Sequence, residues 1–403
     1  MIYRFIFLFT ICLGICCFTG CQQSEVTSPV ESSEQRELPE YDLLLKQERQ
    51  RGCYSPALTV MTRNVYVGTD VDKVLAATNP QQIPFLVAEA FEMLNATNFY
   101  ERAQSLAREI FITRPQLIGL QEISLVRVQP DGDFLIGGTI SAEEEYIDFL
   151  TVLLNALKRR GLDYQVAGKV ENADVELPMV PGLQDNPTSD VRLTDYDVVL
   201  ARHDVDILDV TSANFQIGLP VPGIGTIPRG YVAVDVSWKS NSFKFVNTHL
   251  EPVPDPEDPY FPVILEIQQA QAQELIATFG DLDEPVIMVG DFNSPAPDGD
   301  TYNDFTAAGF IDIWTQNLCF FNPDGYTYGH DLDLRNAYAD FYERIDFIFV
   351  KTEDAENDIG PVFAIVVGDE YWNKTRSGLW PSDHGGVVAR LRLYDKESLL
   401  TIH

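Results

Sequence analysis

The sequence predicts an α/β protein, with two mostly antiparallel or mixed sheets packed face to face and helices outside. Three observations predict it. Short apolar runs rich in β-branched residues recur along the chain, such as Val286-Ile287-Met288-Val289 and Ile345-Asp346-Phe347-Ile348-Phe349-Val350. Helical periodicity fills several intervals between them, over residues 84–112, 143–160 and 263–278. The strand-like runs also end repeatedly on polar side chains: Asn64, Glu122, His249, Asp291 with Asn293, Asp346, and Asp383 with His384. A sandwich would gather these ends at one edge.

The chain begins with one charge, Arg4, and an apolar run from Phe5 to Phe18. That is the shape of a secretory signal over residues 1–20. It closes on Phe18-Thr19-Gly20-Cys21, which resembles the bacterial lipobox, whose cysteine becomes a lipidated amino terminus. The run is short for a spanning helix. The expectation is an exported lipoprotein facing the periplasm or the cell exterior, held at a membrane through Cys21. An uncleaved anchor and an ordinary signal peptide are the alternatives. Residues 21–52, rich in Ser, Glu, Gln and Pro, form a polar tether, and residues 53–403 form one domain. Of six cysteines only Cys53 and Cys319 remain for that domain, and no zinc-type spacing exists. An oxidising compartment would allow these two to pair.

Leu58-Thr59-Val60-Met61-Thr62-Arg63-Asn64-Val65-Tyr66-Val67 alternates as a strand, with Asn64 near its end. One helical pattern then runs over 84–112, carrying Phe91, Leu94, Leu106 and Ile110. Leu117-Ile118-Gly119-Leu120-Gln121-Glu122 is a strand that ends on an acid. Residues 143–160 form an amphipathic helix with Phe149, Leu153 and Leu157 on its apolar side. Residues 171–192 lack periodicity and contain prolines, the pattern of a surface excursion. Tyr196-Asp197-Val198-Val199-Leu200-Ala201 is a strand, and residues 231–238 and 243–250 make a hairpin. A Gln- and Ala-rich helix over 263–278 precedes Val286-Ile287-Met288-Val289-Gly290-Asp291-Phe292-Asn293. There the backbone can turn at Gly290, and alternation turns Asp291 and Asn293 one way and Phe292 the other. A short helix over 301–309 ends at a glycine, and strands at 344–350 and 387–391 finish the fold.

Composition limits the function. At 45% hydrophobic and 22% charged the chain is ordinary for a globular protein, but its net charge of −33 is not. So acidic a surface repels polyanions and argues against a long nucleic-acid footprint.

Asn64, Leu120-Gln121-Glu122, Asn247-Thr248-His249-Leu250, Gly290-Asp291-Phe292-Asn293, Arg344-Ile345-Asp346-Phe347-Ile348 and Ser382-Asp383-His384 stand in a fixed order. That order resembles the endonuclease/exonuclease/phosphatase superfamily, which includes deoxyribonucleases of the pancreatic type, abasic-site endonucleases, bacterial sphingomyelinases and inositol polyphosphate phosphatases. The resemblance covers residues 58–393. It implies a four-layer α/β sandwich and metal-assisted hydrolysis of a phosphoester, with Mg²⁺ (or Mn²⁺ or Ca²⁺) as the ion. Such chemistry needs a hard cation on a phosphate oxygen, an in-line water and neutralised charge.

By the resemblance Glu122 is the first metal ligand; Asn64 adds an oxygen to the metal or bonds a phosphate, and Asp383 completes the metal site. Asp291 orients or deprotonates the attacking water, Asn293 donates to the phosphate, and His249 and His384 stabilise the pentacovalent phosphate. Asp346 holds His384 as an imidazolium. His249 needs an acid of its own to stay cationic, and Asp195 and Asp197 both stand near the matching place. Where some relatives carry a further acid, two residues after the asparagine, this chain has Tyr66, with Asp70 only later. His203 and His330 match nothing in the pattern and are expected at the surface.

Three substrate classes compete. Small or lipid phosphoesters suit the acidic surface better than nucleic acid does, while a secreted nuclease acting on extracellular DNA or RNA is the alternative. A non-catalytic surface binding module on the same fold is the alternative of another class. The intact set of Asp291, Asn293, Asp346, Asp383 and His384 argues against that last reading.

Overall fold

The computed structural model describes residues 57–394, apart from 240, 320–321, 355–357 and 361. The expected signal, the lipid site Cys21, the tether and Cys53 lie outside the described residues.

In chain order the strands are β1 (Leu58–Asn64), β2 (Leu117–Gln129), β3 (Glu144–Asp148), β4 (Tyr164–Met179), β5 (Ser189–Arg202), β6 (Asp206–Asn214), β7 (Leu219–Val221), β8 (Gly225–Ile227), β9 (Gly230–Trp238), β10 (Asn241–His249), β11 (Val286–Asp291), β12 (Ile311–Asp312), β13 (Asp346–Lys351), β14 (Phe363–Val367) and β15 (Gly386–Leu391). The helices are α1 (Asp72–Leu75), α2 (Ile83–Ala96), α3 (Phe99–Thr113), α4 (Phe149–Arg159), α5 (Phe261–Phe279) and α6 (Asp300–Ala307). One sheet runs β14-β15-β1-β2-β5-β4, with β3 also on β2, and the other runs β12-β13-β11-β10-β9-β6. Both are mixed: β1 lies parallel to β2 and β10 parallel to β11, while their other neighbours are antiparallel.

Side-chain alternation explains the layers. Leu58, Val60, Leu117, Val199, Phe243, Phe245, Ile287, Val289, Ile348, Val350, Val387 and Ala389 fill the space between the sheets. Met61, Ile118, Leu120, Val198 and Leu200, on the opposite face of the first sheet, pack against α2, α3 and α4. Val246, Val286, Met288, Phe347 and Phe349 do the same on the second sheet with α5 and α6. The result is the expected four layers.

Several elements differ from the sequence reading. The long helix over 84–112 is two, α2 and α3, because Asn98 takes a left-handed conformation (φ 38°) and caps α3 by accepting from the Glu101 N–H. The helix over 143–160 starts only at Phe149, where Asp148 accepts from the Thr151 N–H; the residues before it pair with β2 as β3. Residues 171–192 are no excursion. They belong to the β4–β5 hairpin, which pairs over most of its length. β4 lies at the edge of the sheet and is only partly buried, so it needs no strict apolar alternation. Exposed β6, at the other sheet's edge, carries equally little signal.

Candidate active site

The same alternation that builds the inter-sheet core continues into polar residues at one end. On β1 the inward series Leu58, Val60 and Thr62 leads to Asn64; on β10, Phe243, Phe245 and Asn247 lead to His249. On β11, Ile287 and Val289 lead to Asp291, and on β13, Val350 and Ile348 lead to Asp346. Strand pairing sets Asp291 beside both His249 and Asp346. Gly290 does not turn the chain, because β11 stays paired through it; a Cβ there would run into the Thr248 carbonyl of β10. The turn comes at Asn293 (φ 48°).

Glu122 reaches the site by a different device. The pairing of β2 with β5 slips between Leu120 and Ile123, and Glu122 sits in that bulge with φ 58°. Regular alternation would send it outward with Leu120. Instead its Oε1 accepts from Asn64 Nδ2 at 2.8 Å and its Oε2 from the Val67 N–H at 2.7 Å.

Asp291 is the hub. Its Oδ2 accepts from Asn64 Nδ2 at 3.1 Å, its Oδ1 from the Asn293 N–H at 2.9 Å, and Nε2 of His249 and of His384 each lie 3.6 Å from Oδ2. Burial raises its carboxyl to about 7, with Asp346 adding and His384 opposing. Phe292 points the other way, into the rings of Phe305, Phe347 and Phe349.

The two histidines are not equivalent. His384 Nδ1 lies 3.0 Å from Asp346 Oδ2, as expected. Burial alone would lower its pKa, but Asp346, Asp291 and Asp383 outweigh burial and raise it to about 10. The His249 ring is pushed well below the ordinary histidine range by burial, then by Arg229 and His384. Its Nδ1 faces Arg229 Nη1 at 3.2 Å, where an acid was expected. Asp195 is occupied elsewhere, accepting from Asn172 Nδ2 at 3.3 Å. Asp197 is fully buried, and neither of its carboxylate oxygens bonds His249.

For a cation, Glu122 and Asp383 offer the fitting donors. Both are carboxylates raised by burial, Glu122 further by Asp195, and Asp383 to about 6 with His384 opposing and Glu122 adding. Buried oxygen anions that crowd one another are what a hard divalent ion neutralises. Asn64, expected as an oxygen donor, has its Oδ1 on the Tyr66 N–H at 2.9 Å, while its Nδ2 bridges Glu122 and Asp291. Ligand atoms of Asp291, Asp346 and His384 also lie within 4.8 Å of one another, but there Asp346 and His384 already bond each other. Asn293, half-buried, commits one amide hydrogen to the Leu250 carbonyl, which leaves the other to donate.

Some residues here carry no signal of their own in the sequence. Arg102, wholly buried, binds the carbonyls of Thr97, Val65, Tyr66 and Pro381, tying the loop after β1 to the one before His384. Arg63 pairs with Glu109 at 3.2 Å and donates to the His384 carbonyl. The Tyr328 ring lies 4.8 Å from that of His384. Of the two histidines expected at the surface, His203 is exposed and pairs with Asp163. His330 is buried instead, stacked 4.2 Å from Trp380, with Asn336 Nδ2 on its Nδ1.

A sequence profile described as Endonuclease/Exonuclease/phosphatase family matches residues 92–384. Among solved structures, an endonuclease/exonuclease/phosphatase family protein from Bacteroides thetaiotaomicron is 19% identical, covers 85% of this chain and 99% of its own, and superposes with a TM-score of 0.52. A mannosyl-6-phosphatase from the same organism is 20% identical, covers 83% and 99%, and has a TM-score of 0.50. No curated protein matches the chain in sequence.

Proposed function

This chain belongs to the endonuclease/exonuclease/phosphatase family, and from that premise we propose that it hydrolyses a phosphoester with the help of a divalent cation. The observation that carries the proposal is the convergence of Asn64 and both histidine Nε2 atoms on one oxygen of Asp291. A buried carboxyl raised to about 7 is suited to taking a proton from water near neutral pH. In this reading Asp291 orients and deprotonates the attacking water. Asn293 donates its free amide hydrogen to a phosphate oxygen. His384, kept cationic by Asp346, neutralises charge that develops on the phosphate, and His249 donates from Nε2 to the same group. Asn64 keeps Glu122 and Asp291 in register.

Glu122 and Asp383 would hold the ion, which when bound polarises the phosphate and offsets its charge. The acid set and the resemblance favour Mg²⁺, with Mn²⁺ or Ca²⁺ as substitutes.

Small or lipid phosphoesters suit this chain better than nucleic acid because the net charge of −33 repels a polyanion. The likeness to a mannosyl-6-phosphatase agrees with a small substrate. Export and attachment through a lipid on Cys21 complete the proposal. No helix among the described residues is long and apolar enough to cross a membrane. Incorporation of labelled fatty acid into the wild type and not into Cys21→Ser tests the anchor.

The function is tested with sugar phosphates, aryl phosphodiesters, sphingomyelin and DNA, each with Mg²⁺, Mn²⁺, Ca²⁺ or chelator. The expected result is turnover of a small or lipid ester that chelator abolishes. DNA as the best substrate would favour the nuclease. Mg²⁺-dependent binding of a partner with no hydrolysis of any ester would favour the binding module.

A further inference from the structure

Resting on the phosphoesterase reading, we infer that Arg229 is a positioning residue that holds His249 as the neutral tautomer protonated on Nε2. His249 then acts as a hydrogen-bond donor, and the positive charge at its place belongs to the guanidinium.

A guanidinium carries N–H groups only and keeps its proton, so whatever it bonds must offer a lone pair. Arg229 Nη1 stands 3.2 Å from His249 Nδ1, so Nδ1 is the bare nitrogen and the ring proton sits on Nε2. That nitrogen is the one aimed at Asp291 Oδ2, 3.6 Å away.

Arg229 is itself held. Its Nε faces Glu251 Oε2 at 3.4 Å, and Glu251 is 3% exposed. The Glu251 N–H donates to Gln271 Oε1 at 2.9 Å, and its carbonyl accepts from Gln268 Nε2 at 2.8 Å. Gln268 also donates to the Asn293 carbonyl at 2.8 Å. Two glutamines of α5 thus fix both the acid that carries Arg229 and the loop that carries Asn293.

The mechanistic consequence separates the two histidines. His384, with a carboxylate on Nδ1, holds a proton that it can give to a leaving oxygen. His249 cannot give up its Nε2 proton without becoming an anion, so it stabilises charge and transfers nothing.

The test begins with the full-length wild type labelled with ¹⁵N at its five histidines and held near pH 7 in chelator. Single His→Gln variants assign the signals. His249 is expected to show one protonated nitrogen, Nε2, and a bare Nδ1. An imidazolium pattern or an Nδ1–H ring would overturn the inference. This reading needs no activity, so it stands or falls apart from the phosphoesterase assignment.

In Arg229→Met the ring is expected to lose the single tautomer. With bis(p-nitrophenyl) phosphate and Mg²⁺, kcat should fall about 10- to 100-fold with KM little changed. Wild-type kcat together with an unchanged tautomer in that variant would also overturn the inference. If Arg229→Met does not fold, the wild-type spectrum decides alone.

Discussion

At the scale of single residues, the site is a contest between burial and charge. Asp291 would ionise freely in water, yet behind two sheets it is 1% exposed and beside Asp346. Its folded pKa, about 7, exceeds its ordinary value of 3.8. The sign follows: the carboxyl favours the fold at acid pH, and that contribution is lost as pH rises from about 4 through about 7. Asp291→Asn removes that cost. In chelator above pH ~7 the variant should therefore be more stable than the wild type, by about 1–3 kcal/mol in urea unfolding. Turnover with metal should fall about 10²- to 10⁴-fold. A variant that loses activity and stability together would show that the carboxylate is needed for the fold. The sequence displayed this residue and its neighbours Asn293, Asp346 and His384. It could not display Arg229, because a lone arginine between Pro228 and Gly230 has no pattern and meets His249 only through folding.

At the scale of elements, placement depends on period and on its one interruption. β1, β10, β11 and β13 deliver their polar ends by plain alternation, and that much is legible in the order of apolar and polar residues. Glu122 needs the bulge in β2, and no residue type announces a bulge that leaves a glutamate at φ 58°. Gly290 misled in a useful way. A glycine before Asp291 suggests a turn, but its work is to let β10 and β11 approach while the strand runs on to the site. Gly290→Ala should therefore cost about 3 kcal/mol or more, since the added Cβ meets backbone that cannot move aside. The measurement is thermal or urea unfolding beside activity. A loss of under about 1 kcal/mol would mean that the strands can part.

At the scale of the molecule, the two sheets are joined by polar pins close to the site. Asn247 on β10 donates to the Leu120 carbonyl at 2.9 Å and the Val198 carbonyl at 3.2 Å across the layer. Its Oδ1 accepts from Gln121 Nε2 at 2.6 Å. Gly119 leaves room for it, because a Cβ at that position would press on Asn247 and Val289. These bonds set how far apart the sheets stand where Glu122 must face Asp291. Asn247→Leu should cost about 2–4 kcal/mol, since it strands the Gln121 amide in a dry interior. It should also lower kcat more than it raises KM, because the groups it separates act together. Unfolding curves and a kinetic split on the same preparation check both. An active variant of wild-type stability would mean that Asn247 does not set the spacing of the sheets.

The sequence by itself determined the layers and most of the site. Strand periods, helix periods and a fixed order of polar strand ends are local properties, and the inter-sheet face carries them directly to Asn64, His249, Asp291 and Asp346. Only the tertiary structure decided the protonation pattern and the partners. Which group sits on a histidine's far nitrogen, whether an asparagine turns its oxygen or its amide inward, and how buried a carboxyl becomes are set by chains distant in sequence. Asp346 on His384 and Arg229 on His249 give two like residues opposite states, and that difference exists only once the sheets have closed.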